Sequence, residues 1–307
     1  MNEIIDSAIN LGEGFHLVKA NFKEFAIHYT TYRENIWFRQ SWERRLAVID
    51  SDTPCYWIML SKQRVGGVSL QPNMMWSFFL EPPFSDTYMV ASKLKKFLVR
   101  VSDQSKSIEV HGILPCQAES FRRLGFLPRD TRRVMIRPTE ALIESDLNDS
   151  CIMTRPDAQQ TEELAQMFYQ AFVGADAIGY PGTNTVESQR EALTFYFEHN
   201  GFGILNHASG VIFDRSTEKP VAACLISLWE DLPLVSNIAV LPSHRGNGLA
   251  TALLNQALTV LHSCYDVVRL FVTVGNGAEA LYYNLGFHPG VAQTTLYLSE
   301  RMIANYE

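Results

Sequence analysis

Val240-Leu241-Pro242-Ser243-His244-Arg245-Gly246-Asn247-Gly248-Leu249-Ala250 joins two segments of opposite character. Leu234 to Leu241, before it, is apolar as a buried strand is. Leu249 to Leu261, after it, repeats leucine and alanine at helical spacing. Glycines at 246 and 248 mark the junction, where the chain turns sharply and its backbone can approach a partner closely. A turn of this kind leaves the first N–H groups of the helix without intrahelical acceptors. Together with the helix dipole they make an anion site suited to a pyrophosphate. The spacing is not G-x-G-x-x-G, because position 251 is threonine, and no Gly-Lys-Ser/Thr follows as a Walker loop requires.

The context downstream narrows the reading. Val267 to Val274 is a short β-branched run, as a buried strand is. It leads into Asn276-Gly277-Ala278-Glu279-Ala280-Leu281-Tyr282-Tyr283-Asn284-Leu285-Gly286-Phe287. Arg245-Gly246-Asn247-Gly248-Leu249-Ala250 fits Arg/Gln-x-x-Gly-x-Gly/Ala and resembles the coenzyme A pyrophosphate loop of the GNAT acetyltransferase superfamily. The later stretch is similar to the family's Asn-x-x-Ala-x-x-Leu-Tyr-x-x-Leu-Gly-Phe block, with Ala280 one place off the commonest alanine position. The two motifs stand in the family's order, and the resemblance covers residues 151–307.

A second observation extends the plan to the whole chain. Leu124-Gly125-Phe126-Leu127-Pro128 matches Leu285-Gly286-Phe287-His288-Pro289 at an offset of 161. At that offset Ser236–Leu241 falls on Met75–Leu80, and the helix Leu249–Leu261 on Tyr88–Arg100. The strand Val267–Val272 likewise falls close to the apparent strand Ser107–Ile113. One order of elements at one offset points to duplication. The expected fold is therefore α/β (α+β), with two tandem GNAT-like domains, residues 1–145 and 151–307. Each is expected to be a mixed, largely antiparallel central sheet flanked by helices. The polar segment Glu144–Ser150 reads as the linker. Arg132 to Arg137 is expected to end the first copy. In the second, Thr161–Val173 and Val186–Phe197 read as helices, Gly203–Phe213 and Pro220–Trp229 as strands, and Val173–Thr183 as a loop.

The first copy lacks the chemistry of the second. Arg245, Gly246, Gly248 and Ala250 fall on Phe84, Ser85, Thr87 and Met89, so both glycines are gone. Asn276 falls on Pro115, and Tyr282 on Phe121, which keeps the ring and loses the hydroxyl. The N-terminal half reads as a degenerate copy without coenzyme A binding.

Composition sets outer limits. No apolar stretch reaches the ~18 residues that span a membrane. Met1–Gly14 carries no basic residue and does not read as a signal peptide. The five cysteines form no C-x-x-C pair, and no histidine cluster has metal-ligand spacing. These features lead us to expect a cytoplasmic protein that uses no metal and has no membrane partner. Residues 1–150 hold 19 Lys+Arg against 18 Asp+Glu, and residues 151–307 hold 7 against 15. The half with the loop is thus acidic, which disfavours nucleic acid and is compatible with a cationic acceptor as well as with a merely solvated surface.

The resemblance implies an N-acetyltransferase that moves an acetyl group from acetyl-CoA to a primary amine of a small molecule or peptide, by direct attack in a ternary complex. Backbone groups of Ile238, Ala239 and Val240 would hold the pantetheine arm and polarise the carbonyl. N–H groups of Arg245, Gly246, Asn247, Gly248, Leu249 and Ala250 would hold the pyrophosphate, and Asn276 would contact the pantetheine. Tyr282 matches the family's general-acid tyrosine. Tyr283 is turned away from it by helical spacing. The expected fourth strand offers Ser236 and Asn237 and no carboxylate, so Glu230, just before it, is the candidate base, with water as the competing account. The assembly is expected to be a monomer or homodimer. A non-catalytic acyl-CoA-binding or sensing module is the alternative reading.

Overall fold

The computed structural model describes residues 8–33, 42–47, 49–142, 147–173, 184–229 and 231–304. In chain order the elements are β1 (Ile9–Gly12), β2 (Phe15–Lys19), α1 (Phe22–Tyr32), α2 (Trp42–Leu46), β3 (Cys55–Leu60), β4 (Gln63–Gln71), β5 (Met74–Leu80), α3 (Thr87–Val101), β6 (Ile108–Ile113), α4 (Pro115–Arg123) and β7 (Leu127–Pro138). They continue with β8 (Cys151–Thr154), α5 (Thr161–Ala171), α6 (Val186–His199), α7 (Gly203–Ala208), β9 (Gly210–Asp214), β10 (Lys219–Trp229), β11 (Leu232–Val240), α8 (Leu249–Leu261), β12 (Val267–Thr273), α9 (Ala278–Asn284), β13 (His288–Pro289), β14 (Gln293–Leu298) and α10 (Glu300–Ala304). Among the described residues no helix is long and apolar enough to cross a membrane.

Two compact units result: Met1–Arg132 with Val291–Glu307, and Arg133–Gly290. In unit 1 the strand order is β1-β2-β3-β4-β5-β6-β14-β7, antiparallel except where β5 runs parallel to β6. In unit 2 it is β7-β12-β11-β10-β9-β8, antiparallel along β11-β10-β9-β8, with β11 parallel to β12. The structure groups the chain ends differently from the sequence expectation. Residues 291–307 lie with unit 1, because β14 pairs with β6 and with residues 127–132 of β7. Residues 133–138 lie with unit 2, where Met135 and Ile136 pair with β13. Strand patterning says that a segment is extended and half-buried; it does not say which neighbour takes its hydrogen bonds.

The duplication is visible in the register. Met74 and Met75 pair in parallel with Glu109 and Val110, and Leu234 and Val235 pair with Arg269 and Leu270. Each residue of the second set stands 160 positions after its counterpart (Met74 to Leu234, Glu109 to Arg269). That is one fewer than the offset of Leu-Gly-Phe, because unit 2 has one extra residue between the strand and that turn.

Unit 2 is held by two apolar layers. On one face α8 turns Leu249, Leu253, Leu254, Ala257, Leu258 and Leu261 against Ala222, Cys224, Ile226 and Val268. On the other, α5 and α6 bring Leu164, Phe168 and Leu193 against Ala223 and Leu225. Alternate β10 residues thus face opposite layers, as a strand covered on both sides requires. Burying each leucine contributes roughly 1.5–3 kcal/mol. The expected strand over Gly203–Phe213 is in part a helix, since α7 occupies Gly203–Ala208 and β9 begins at Gly210. Leu205 and Ala208, one helical turn apart, both enter the α8 layer, and that burial outweighs the extended reading of an apolar run.

Candidate acyl-donor site

The loop after β11 has the form its glycines suggest. Pro242–His244 makes one turn of 3-10 helix, and Gly248 caps α8 in the left-handed region at φ 74°, ψ 3°. Gly246 is also left-handed, at φ 78°. A Cβ added at either glycine would meet no atom within 4 Å, so the glycines serve backbone conformation and leave open space above it. The first helical bond into Gly248 is Ala252 N–H to its carbonyl, at 2.9 Å. The N–H groups of Gly246 to Thr251 precede it and gather at the positive end of a 13-residue helix.

Arg245 and Asn247 shape this loop more than they face outward. The Arg245 guanidinium donates to the carbonyls of Val240 (3.2 Å) and Ala171 (2.9 Å), tying the loop to β11 and to the end of α5. The Arg245 N–H turns back to Pro242 O at 3.4 Å, so Arg245 is not among the outward donors. Asn247 Nδ2 donates to His244 O at 3.1 Å. Behind the loop, His244 Nε2 lies 3.5 Å from Asp214 Oδ2, and His244 Nδ1 lies 2.8 Å from Ser243 Oγ. The Asp214 carboxyl is held well below the usual carboxylate range by the Ser216 hydroxyl, then by the Thr217 and Ser216 N–H groups, with His244 adding to them. The β9–β10 hairpin therefore presents a charged anchor to the loop.

The strands beside the loop separate. Among the described residues β11 pairs with β12 at Leu234 and Val235 and no further. On its other edge β11 stays paired with β10 as far as Val240, and Leu241 N–H continues the ladder to Val221 O at 2.9 Å. In such a ladder alternate residues turn their backbone groups to opposite sides. Ile238 and Val240 accordingly aim theirs at the side where β12 has diverged, whereas Ala239 aims its own at Ala223 of β10. Of the three residues expected to hold the pantetheine arm, Ile238 and Val240 thus face that side, and the Val240 carbonyl already accepts from Arg245 Nε. A bulge at Ser236, whose hydroxyl donates to Leu225 O at 3.0 Å, sets this phase.

Tyr282 lies on α9 and is 7% exposed, packed edge-on to Phe287 at 6.0 Å between centroids. Burial pushes its hydroxyl well above the ordinary tyrosine range, and the Cys224 thiol beside it adds to the effect. That thiol is itself pushed up to about 12 by burial. Tyr283 is 65% exposed, on the opposite side of the helix. Asn276 Oδ1 accepts from Ala278 N–H at 2.9 Å, so its side chain starts α9. Glu230 lies outside the described residues.

Arg269 was not foreseen. It is fully buried on β12, donates to the carbonyls of Trp229 and Leu232, and lies 4.9 Å over the Trp229 ring. It braces the β10–β11 turn. The one signal in the sequence is an arginine inside the apolar run Val267–Val272.

Residues 160–287 match the Acetyltransferase (GNAT) family. This segment is a GNAT domain. No curated protein matches the chain by sequence. Among solved structures, a GCN5-related N-acetyltransferase from Sphaerobacter thermophilus aligns with a TM-score of 0.69 at 14% identity, covering 95% of this chain and 97% of that one. A tandem GNAT protein from the clavulanic acid biosynthesis pathway aligns at 0.56 and 10% identity, covering 93% and 98%. A glucosamine N-acetyltransferase region in a fungal multi-domain GH3 β-N-acetylglucosaminidase aligns at 0.56 and 14%, covering 96% of this chain and 39% of that one. At such identities the likeness is one of fold, and it runs the length of the chain.

Unit 1 repeats the GNAT architecture and closes each feature that the GNAT domain keeps open. Its β5 and β6 also part after one short parallel stretch. There the Arg33 guanidinium, on a residue 6% exposed, donates to Phe78 O of β5 and Gly112 O of β6, bridging the gap. Pro82 and Pro83 follow β5 and carry no N–H. The start of α3 is capped by Asp86, whose Oδ1 accepts Met89 N–H at 2.9 Å. The positive end of that helix has a carboxylate of its own.

Proposed function

We propose that unit 2 transfers an acetyl group from acetyl-CoA to the primary amine of a small molecule or peptide. The observation that carries this reading is the comparison of Tyr282 with Phe121. Both rings pack against the phenylalanine of their Leu-Gly-Phe turn, at 6.0 Å and 5.6 Å between centroids. Phe287 N–H donates to Tyr282 O at 3.0 Å, and Phe126 N–H to Phe121 O at 3.1 Å. Gly286 and Gly125 take left-handed φ of 84° and 88° as the helix ends. Since Phe121 does all of this without a hydroxyl, the hydroxyl of Tyr282 is not needed for packing or capping. It remains for chemistry.

The chain's own groups divide the work. The N–H groups of Gly246 to Ala250 bind the pyrophosphate, and the open space over both glycines admits it. Ile238 and Val240 offer backbone groups to the pantetheine arm and the thioester carbonyl oxygen, where negative charge develops. The amine must attack neutral. Its nitrogen bonds to the carbonyl carbon, the carbon–sulfur bond breaks, and the nitrogen sheds one proton while the sulfur gains one. Tyr282, whose raised pKa keeps it protonated at neutral pH, donates to that sulfur. Glu230 is the candidate to receive the amine proton, and water is the alternative. The acidic excess of residues 151–307 favours a cationic acceptor. Five unpaired cysteines suit a reducing cytoplasm.

The test is Tyr282→Phe, scored against a panel of amines with acetyl-CoA. We expect kcat to fall ~10²-fold or more while acetyl-CoA affinity is unchanged. A variant that binds and turns over like the parent makes Tyr282 a core aromatic, and a parent that binds acetyl-CoA and acetylates none of the amines favours a non-catalytic acyl-CoA-binding module.

A further inference from the structure

A cavity of about 690 Å³ lies in unit 2 among β8, α7, the outer face of α8 and the residues just before β8. Its size is that of a small-molecule site. Its lining is polar where the rest of α8 is apolar: Asn255, Gln256 and Thr259 share one face of the helix with the small Ala252. Two guanidiniums, Arg155 and Arg215, line it as well.

Their presence is unusual for this unit. Unit 2 has eight Lys and Arg residues, and five are engaged elsewhere. Arg133 pairs with Glu279, Arg137 with Glu140 and Arg190 with Glu162. Arg245 and Arg269 are spent on backbone carbonyls. Of the remaining three, two converge on this one cavity, and among the described residues neither forms an ion pair. Arg215 is also anchored beside the cavity, with its N–H on Ser150 O at 2.8 Å and its Nε on Cys151 O at 3.3 Å. In a unit with a large acidic excess, unpaired arginines gathered at a concavity point to an anionic ligand.

We propose that this cavity binds a small organic anion bearing a carboxylate or phosphate group, which Arg155 and Arg215 hold in common. Asn255 and Gln256 read neighbouring hydroxyl or amide groups. Asp149 lines the same cavity, so its carboxylate offsets one of the two arginine charges, and the site suits a compact anion carrying a hydrogen-bond donor better than a polyanion. The site does not depend on acetyl transfer.

The test titrates lactate, a compact hydroxy-carboxylate, and inorganic phosphate, separately, into the full-length protein saturated with coenzyme A, so that the glycine loop is not the site measured. Calorimetry and thermal shift are the readouts. We expect saturable binding of at least one probe, weakened ~10-fold or more in Arg155→Gln/Arg215→Gln, with coenzyme A affinity unchanged. Arg155→Gln alone serves if the double variant misfolds, because Arg155 is exposed. Which probe binds tells carboxylate from phosphate. Equal probe affinity in parent and variant, or no saturable binding of either probe at millimolar concentration, overturns the proposal.

Discussion

Replacing Gly248 by alanine separates what the glycine does for the fold from what it does for a ligand. Its φ of 74° lies where an L side chain costs roughly 1–2 kcal/mol. No packing penalty adds to this, because the new Cβ meets nothing within 4 Å. Gly203, at φ 57° and equally open, starts α7 in the same unit and supplies the control. Both variants should therefore lose about 1 kcal/mol of stability, which is ~2–4 °C in Tm for a unit of this size. Their effects on acetyl-CoA should diverge. At Gly248 the methyl group stands in the space that a pyrophosphate must enter to reach the N–H groups ahead of α8. A charge-assisted bond of that kind contributes about 1.5–3 kcal/mol. Displacing one should weaken binding by at least ~1.4 kcal/mol, which is tenfold. Gly203→Ala should bind like the parent. Calorimetry decides the matter: undiminished affinity in a folded Gly248→Ala, or an equal loss in Gly203→Ala, refutes the assignment of the loop.

Three further outcomes follow from unit 1. Arg33→Met leaves the carbonyls of Phe78 and Gly112 without their donor, at about 1–3 kcal/mol each, so Tm should fall. Coenzyme A titration should still give one site per chain, since Asp86 and the two prolines close the loop independently; two sites in the parent would sink the degenerate reading. Removing residues 291–307 takes β14 from the unit 1 sheet and Leu296, Leu298 and Ile303 from its core. At roughly 1.5–3 kcal/mol per side chain that loss is comparable to the whole stability of a domain. Circular dichroism and limited proteolysis should then report an unfolded unit 1, and a shortened chain that melts like the parent would contradict the strand assignment.

How much of this the sequence disclosed depends on the kind of force involved. The loop was legible because left-handed backbone selects glycine, so 246 and 248 announce themselves. The α9 turn was legible for the same reason at Gly286. Hydrogen-bond partnership across the sheet was not. The half-buried pattern of Arg132–Arg137 or Gln293–Leu298 is the same whichever strand lies alongside, so the regrouping of chain ends had no local signature. The phase that gives Ile238 and Val240 to the open side, and Ala239 to β10, follows from pairing register and a bulge at Ser236. Nor could spacing reveal that Arg245 would turn inward to Val240 and Ala171.

The duplication supplies what a single domain could not. Register, parting strands, the αL glycine after the fourth helix of unit 1 and its counterpart after α9 recur in both units, and these are requirements of the fold. Features present in one copy alone are not. Unit 1 dispenses with both loop glycines and with the tyrosine hydroxyl, and it keeps the architecture. It fills the opening between its strands with Arg33 and the end of its helix with Asp86. Each replacement supplies from the chain a polar partner at a place the second copy leaves open. A buried carbonyl or an uncapped helix terminus needs such a partner whether or not a ligand comes. Among the described residues unit 2 has no such partner from the chain at the N–H groups of Gly246–Thr251 or beside Ile238, and there the proposed acyl donor would supply it, whereas the Val240 carbonyl is already met by Arg245.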